Sequence, residues 1–292
     1  MSGHDLWRPA SGCGPDCLPA PGRTPVVPAV RRAARLAALL GMLVLGTGLA
    51  VLLPLLPAAE RRVALGGWAR ATARALGVRL VVRGRLPRRR ALLVANHLSW
   101  LDVLAVLAVA PARPVAKREV RGWPLLGWLA RAAGTLFVDR TRPRDLPATV
   151  GRVADALRAG RSVAVFPEGT TWCGAATGCR PPGGFRPAVF QAAVDTGAPV
   201  VPLRIGYRDA ATGEATTAPA FLGDEHLWRS LRRVLASPGL VLTVTVTTAL
   251  HPAPGADRRM LARAAESAVH LRPAAARPAP RPRAAFEVDL AA

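Results

Sequence analysis

The stretch from Leu36 to Pro57, LAALLGMLVLGTGLAVLLPLLP, runs for 22 residues without a charge. A helix of that length matches the hydrocarbon thickness of a bilayer. Arg31, Arg32 and Arg35 precede it and Glu60, Arg61 and Arg62 follow it. Arginines therefore flank both ends, and the charge asymmetry that orients a spanning helix is missing. A core helix rarely stays uncharged over such a distance, and a signal peptide has a shorter apolar region nearer the start of the chain. The run reads as a membrane anchor, truncated by Pro54 and Pro57, which a helix interior does not tolerate.

Beyond it, ERRVALGGWARATARALG places Val63, Leu65, Trp68, Ala71, Ala75 and Leu76 among Arg61, Arg62, Arg70 and Arg74 at helical spacing. The pattern predicts a helix that either lies in the membrane interface with Trp68 at headgroup level or is exposed to solvent. From Val78 onward, strands near 78–83, 91–95, 114–116, 135–138, 162–166, 200–206 and 240–248 alternate with helices near 100–110, 122–133, 147–159, 187–197, 225–236 and 256–269. That alternation predicts an α/β sheet covered by helices. Many of the strands are apolar throughout, as a sheet buried on both faces requires. The domain plan is a disordered tail over 1–30, anchor and interfacial helix over 31–77, a catalytic domain over 78–270, and a Pro- and Ala-rich disordered tail over 271–292.

At 292 residues and 51% hydrophobic the chain can bury a full-sized core, which excludes a natively disordered protein. Its formal charge of +22 would draw it to phosphates. The arginines are scattered in ones and twos, however, and no nucleic-acid-binding signature accompanies them. Anionic membrane lipids are the expected electrostatic partners, at roughly 1 kcal/mol per basic residue near the surface. Lys117 is the single lysine among the 40 basic residues, either a position where arginine does not substitute or a chance survivor of an arginine-rich composition. Cys13 and Cys17 lie in the N-terminal tail, and Cys173 and Cys179 flank a Gly-containing loop. Neither spacing is a zinc knuckle and His4 completes no site, so no metal is expected; the thiols read as free in a reducing compartment, with a Cys173–Cys179 loop disulfide as the alternative.

Ligands in open α/β sheets gather at the carboxyl ends of strands, and three polar clusters fall there. In ALLVANHLSWLDVL, a buried strand stops at Asn96-His97 and a helix begins, with Ser99 as its expected cap and Asp102 in its first turn. A carboxylate there can hydrogen-bond the imidazole, fix its tautomer and make His97 a general base. GTLFVDR ends a strand in Asp139-Arg140, and VAVFPEGT ends another in Glu168-Gly169-Thr170. Glu168, between a rigid proline and a permissive glycine, could accept hydrogen bonds from a polyol, orient arginines or form a loop salt bridge.

Together, in order and at sensible spacing, these motifs resemble the phospholipid and glycerol acyltransferase family over about Leu76 to Thr248. NHLSWLD matches its Asn-His-x4-Asp block at His97 and Asp102. AKREVRGWPLLGWLARAAGTLFVDR matches the second at Lys117, Glu119, Pro124, Gly127, Gly134 and Arg140. VFPEGT matches the third and GAPVVPLRI the last. The resemblance implies a glycerol-3-phosphate acyltransferase-like mixed sheet and a membrane-bound O-acyltransferase. Its implied reaction transfers a fatty acyl group from acyl-CoA or acyl carrier protein to the sn-2 hydroxyl of 1-acylglycerol-3-phosphate, without a cofactor. His97, oriented by Asp102, would be the base. Arg140 and Lys117 would neutralise the acceptor phosphate, and Glu168, Gly169 and Thr170 would shape its pocket.

One departure bears on the acceptor. The loop TWCGAATGCRPPGG after Thr170 is long, and Phe185-Arg186 is followed by Pro187-Ala188 where the family commonly has a small residue and glycine. Arg186 is then a second phosphate contact, and another lysolipid such as lyso-ornithine lipid is the alternative acceptor. A thioester donor made in the cytosol implies an inner-membrane protein whose catalytic domain faces the cytoplasm. A non-catalytic basic membrane-surface or nucleic-acid-binding protein is the contrasting reading. The joint presence of His97, Asp102 and Glu168 argues against it.

Overall fold

The computed structural model describes residues 9–270 apart from 21, 23–24, 88–89, 176–178 and 181–182. The C-terminal tail expected over 271–292 therefore lies outside the described residues. Seven strands form one sheet: β1 (Val78–Arg83), β2 (Leu92–Ala95), β3 (Ala112–Lys117), β4 (Leu136–Val138), β5 (Ser162–Val165), β6 (Val200–Asp209) and β7 (Leu240–Val246), in spatial order β1-β7-β6-β2-β5-β3-β4. Strands β2 to β6 are mutually parallel. β7 runs antiparallel to β6 and carries β1 parallel to itself, so the sheet is mixed, as the resemblance implied.

Eight α-helices accompany it among the described residues: α1 (Ala29–Leu52), α2 (Ala58–Ala75), α3 (Leu101–Val109), α4 (Leu126–Ala132), α5 (Leu146–Arg158), α6 (Phe190–Thr196), α7 (Leu227–Ala236) and α8 (Arg258–His270). Parallel neighbours need crossovers, and helices supply them. Because side chains alternate across a strand, β2 serves both faces of the sheet. Leu93 and Ala95 pack with α2, α3 and α7, while Leu92 and Val94 pack with α5, α6 and α8. That double burial explains why β2 has no polar residue before Asn96.

Two helices begin later than their periodicity suggests. The α4 pattern was expected from 122, but Pro124 disfavours helical geometry before it, and Leu125 takes φ 57°, a left-handed value that an α-helix cannot include. Pro187–Val189 forms a 3-10 turn ahead of α6.

The apolar run forms α1, continued by a 3-10 turn at Leu53–Leu55, and is long and apolar enough to cross a membrane. Leu40, Val44, Leu45, Val51, Leu52 and Leu55 are exposed. After the Pro54–Pro57 corner the chain returns as α2 along α1. The Trp68 indole donates to the Met42 carbonyl at 2.8 Å, so its polar end is satisfied within the helix pair and not left free for headgroups. The opposite face of α2, with Ala69 and Ala73, is buried, and α2 packs on α3. The start of α1 is bound to the sheet domain: Arg35 donates to the carbonyls of Leu235 (3.0 Å), Ser237 (2.6 Å) and Pro238 (3.2 Å) at the end of α7.

Part of the segment read as a disordered tail is ordered. Residues 9–20 are described, with a 3-10 turn at Pro15–Cys17, and Cys13, Cys17 and Leu18 pack against the sheet core. The apolar thiols and Leu18 supply the burial that the Pro/Gly composition obscures.

Candidate active site

Because β2 to β5 run parallel, His97, Lys117, Asp139-Arg140 and Glu168-Gly169 all leave the same edge of the sheet. Asn96 fixes the first of these ends. Its amide donates to Ile205 O at 2.9 Å and accepts Ile205 N–H at 2.8 Å, which extends the β2–β6 pairing by a side chain. His97 then turns out of the sheet.

The His97 Nδ1 stands 2.9 Å from Asp102 Oδ2. The Asp102 side chain is 0% exposed and that of His97 is 21% exposed. Asp102 also accepts the backbone N–H groups of Leu98 (2.6 Å) and Ser99 (2.8 Å) on the same oxygen, and the Tyr207 hydroxyl on Oδ1 at 2.5 Å. The capping thus runs opposite to expectation. Asp102 reaches back over the turn, while the Ser99 hydroxyl accepts Leu101 N–H at a longer 3.3 Å and also bonds Tyr207, and α3 starts at Leu101. Because Oδ2 already accepts two backbone N–H groups, it meets the imidazole as an acceptor, so Nδ1 carries the proton and Nε2 keeps its lone pair. Phe166 stacks on the imidazole at 4.0 Å and 15°, setting its plane.

Glu168 occupies a different place from the one expected. It is 1% exposed, and its carboxylate accepts His97 N–H at 2.7 Å and the Trp172 indole N–H at 3.1 Å. His270 Nε2 stands 3.2 Å from Glu168 Oε1, an ion-pair distance without hydrogen-bond geometry. Glu168 therefore supports the His97 backbone from beneath and presents no oxygen to an acceptor. Gly169 does lie at the rim. Arg140 donates to its carbonyl, and a Cβ there would stand 3.6 Å from Arg186 Nε. Thr170 follows, half-buried.

Arg140 and Arg186 thus converge on Gly169. Burial lowers the Arg140 pKa, Glu119 opposes that effect and the like charge of Arg186 adds to it. Two guanidiniums this close favour a shared anion, and their planar forks suit phosphate or carboxylate. Lys117 is exposed at the end of β3, with Nζ 5.9 Å from the Trp123 ring centroid. Asp139 serves its own turn: Thr141 and Arg118 hydrogen-bond it and bring its pKa down to about 2.

Sequence reasoning missed Tyr207, Trp172 and His270. Tyr207 is the only tyrosine, and burial followed by the Asp102 charge pushes its phenol well above the ordinary value, so it remains a donor. Tyr207→Phe should cost about 1.5–3 kcal/mol, as for a hydrogen bond to a charged group. Denaturant unfolding checks this, and an unchanged midpoint would show that the bond contributes nothing.

An imidazole held by a buried carboxylate, with two guanidiniums meeting at a neighbouring strand end, is an arrangement that can serve attack by a hydroxyl on an acyl group. The family described as Acyltransferase matches residues 78–206. A lyso-ornithine lipid O-acyltransferase of Pseudomonas aeruginosa is 38% identical over 244 residues, spanning 81% of this chain and 91% of its own length. A 1-acyl-sn-glycerol-3-phosphate acyltransferase of Neisseria gonorrhoeae is 36% identical over 170 residues, 58% of this chain and 64% of its own. The fold is that of the 1-acyl-sn-glycerophosphate (LPA) acyltransferase PlsC from Thermotoga maritima, with a TM-score of 0.59 at 21% identity over 82% of this chain and 94% of that one. The chain belongs to the acyltransferase family. Within it, the chain is an enzyme of the lysolipid acyltransferase type, related both to 1-acyl-sn-glycerol-3-phosphate and to lyso-ornithine lipid acyltransferases.

Proposed function

We propose that the protein acylates the sn-2 hydroxyl of 1-acylglycerol-3-phosphate, forming phosphatidic acid, with acyl-CoA or acyl carrier protein as donor. The observation that carries this reading is the 2.9 Å bond between His97 Nδ1 and the enclosed Asp102, which leaves Nε2 as a base at the strand mouth. Nε2 takes the hydroxyl proton as the oxygen bonds to the thioester carbon. The tetrahedral intermediate collapses with loss of the C–S bond, and the imidazolium returns the proton to the departing thiolate. Asp102 stabilises the imidazolium throughout. Arg140 and Arg186 hold the acceptor phosphate at the rim. No acyl-enzyme is required, because these motifs position no Ser or Cys nucleophile: Ser99, the serine within them, is 0% exposed and bonds its own turn.

A second acceptor, lyso-ornithine lipid, is favoured by the Pseudomonas relative, whose match extends over more of both chains than the Neisseria one. The same chemistry applies, with a carboxylate in place of the phosphate. The exposed apolar side chains of α1 embed the protein in the inner membrane, and a cytosolic thioester donor requires the sheet domain to face the cytoplasm.

The test is acyl transfer from both donors to both acceptors by wild type and Arg140→Ala. Phosphatidic acid formation supports the primary reading, and transfer to the aminolipid alone replaces it with the second. Loss of a charge-assisted contact worth about 1.5–3 kcal/mol should raise the acceptor KM of Arg140→Ala roughly ten- to a hundredfold. An unchanged KM would remove Arg140 from the headgroup site.

A further inference from the structure

The two cysteine pairs, separated by about half the chain, meet in the fold. The sulfurs of Cys13, Cys17, Cys173 and Cys179 all lie within 4.8 Å of one another, and no disulfide joins them. Cys17 and Cys179 bring their sulfurs to 3.6 Å. Four thiolates around one tetrahedral ion, each about 2.3 Å from it, stand about 3.8 Å apart. The spacing encloses a single ion and leaves no room for an iron–sulfur cluster.

The backbone around the sulfurs is arranged as such a site requires. Cys13 Sγ accepts the Cys173 N–H at 3.1 Å, a bond that stabilises a thiolate. A turn closed by Cys17 N–H to Gly14 O at 3.1 Å holds Cys13 and Cys17 on one side. Each leading cysteine is followed by glycine. At Gly174, φ is 75°, a left-handed value that favours glycine, and a Cβ would stand 3.0 Å from the end of the Leu98 side chain. The thiols sit against the apolar core. Hydrogen bonds with Cys17 and Cys173 push the Cys179 thiol up to about 12, and burial raises that of Cys13. A divalent cation reverses that preference, because a coordinating thiol is deprotonated outright. Sulfur-only, tetrahedral donors select zinc over harder cations.

We propose that Cys13, Cys17, Cys173 and Cys179 bind one zinc ion that staples the N-terminal segment to the loop after Glu168-Gly169-Thr170. Binding releases the four thiol protons and leaves the centre with a net charge of −2. Arg180, next to Cys179 in sequence, pairs with Glu266 at 3.5 Å. All four positions are protein ligands, so the ion is structural and not catalytic. This role accounts for the length of that loop. Cys173 follows Trp172, whose backbone N–H donates to His97 O at 3.1 Å and whose indole holds Glu168. On the other side of the staple, Pro9 covers Gly169, where a Cβ would come within 2.6 Å of Pro9 Cγ. The ion thereby secures both the support beneath His97 and the rim of the headgroup site.

The test is the metal content of the full-length protein, purified in detergent under reducing conditions from zinc-supplemented cells, and it is independent of any acyl transfer. One zinc per chain is expected. Exchange with cobalt(II) should give a thiolate-to-cobalt charge-transfer band with tetrahedral ligand-field bands. Cys17→Ser and Cys179→Ser should lose the metal, whereas His97→Ala should keep it. If the serine variants fail to fold, the wild-type stoichiometry and the cobalt spectrum still decide. Substoichiometric metal, iron in place of zinc, retention in both serine variants, or an intact mass showing Cys13–Cys173 and Cys17–Cys179 disulfides would overturn the proposal.

Discussion

Replacing His97 by alanine should lower acyl transfer by about two to four orders of magnitude, the range for loss of a general base. The fold should survive, because the His97 side chain is partly exposed, the Asn96 amide binds Ile205, and the Glu168 carboxylate accepts a backbone N–H that alanine retains. The discriminating measurement pairs initial rates with acceptor binding and thermal unfolding. A collapsed rate with intact binding and an intact melt identifies the base. A rate within about tenfold of wild type would assign the proton to another group and undo the mechanism.

Asp102→Asn should have the next largest effect, on two observables at once. The amide is isosteric but has only one acceptor oxygen. Placed toward His97, Leu98 and Ser99, that oxygen preserves three bonds and leaves the amide nitrogen facing Tyr207, whose hydroxyl must then accept. The arrangement keeps the tautomer but loses the negative charge that balances the imidazolium. We expect kcat to fall about a hundredfold or more, with acceptor KM little changed. Stability should fall by about 1–3 kcal/mol through weakened charge-assisted bonds. Because Tyr207 shares that network, Tyr207→Phe should cost less in the Asp102→Asn background than in wild type. Equal costs would mean that the two side chains do not cooperate. A KM that rose in step with the loss of kcat would point to a disordered site and away from a missing charge.

What could be read from the chain was what neighbouring residues determine. The seven strands were legible near their observed positions, the inner ones such as β2 and β5 as apolar runs, and the His97–Asp102 contact was legible because the partners lie five positions apart across one turn. The exceptions each depend on a distant segment. Glu168 looked available to substrate because nothing nearby in sequence shows that the His97 amide, 71 residues away, meets its carboxylate. Tyr207 binds Asp102 across 105 residues, and a single tyrosine in a strand carries no periodicity to mark it. Two cysteine pairs that fit no ligand spacing separately become one group of four when Cys13 and Cys173, 160 positions apart, come into hydrogen-bond contact. Trp68 was placed at the right helical position for an interface, but α1 itself accepts its indole proton.

The three carbonyls that hold Arg35 make the apolar helix a fixed strut and not a tether. A cable leaves its load free to swing, whereas this joint transmits orientation from the first turns of the helix to the end of α7. Shortening the protein to begin after α1, the usual route to a soluble enzyme, would strip those carbonyls of their donor and uncover the Met42 carbonyl's partner on Trp68 and the apolar contact at Leu39. The helix is as much a load-carrying beam of the sheet domain as an attachment, and removing it dismantles part of the building.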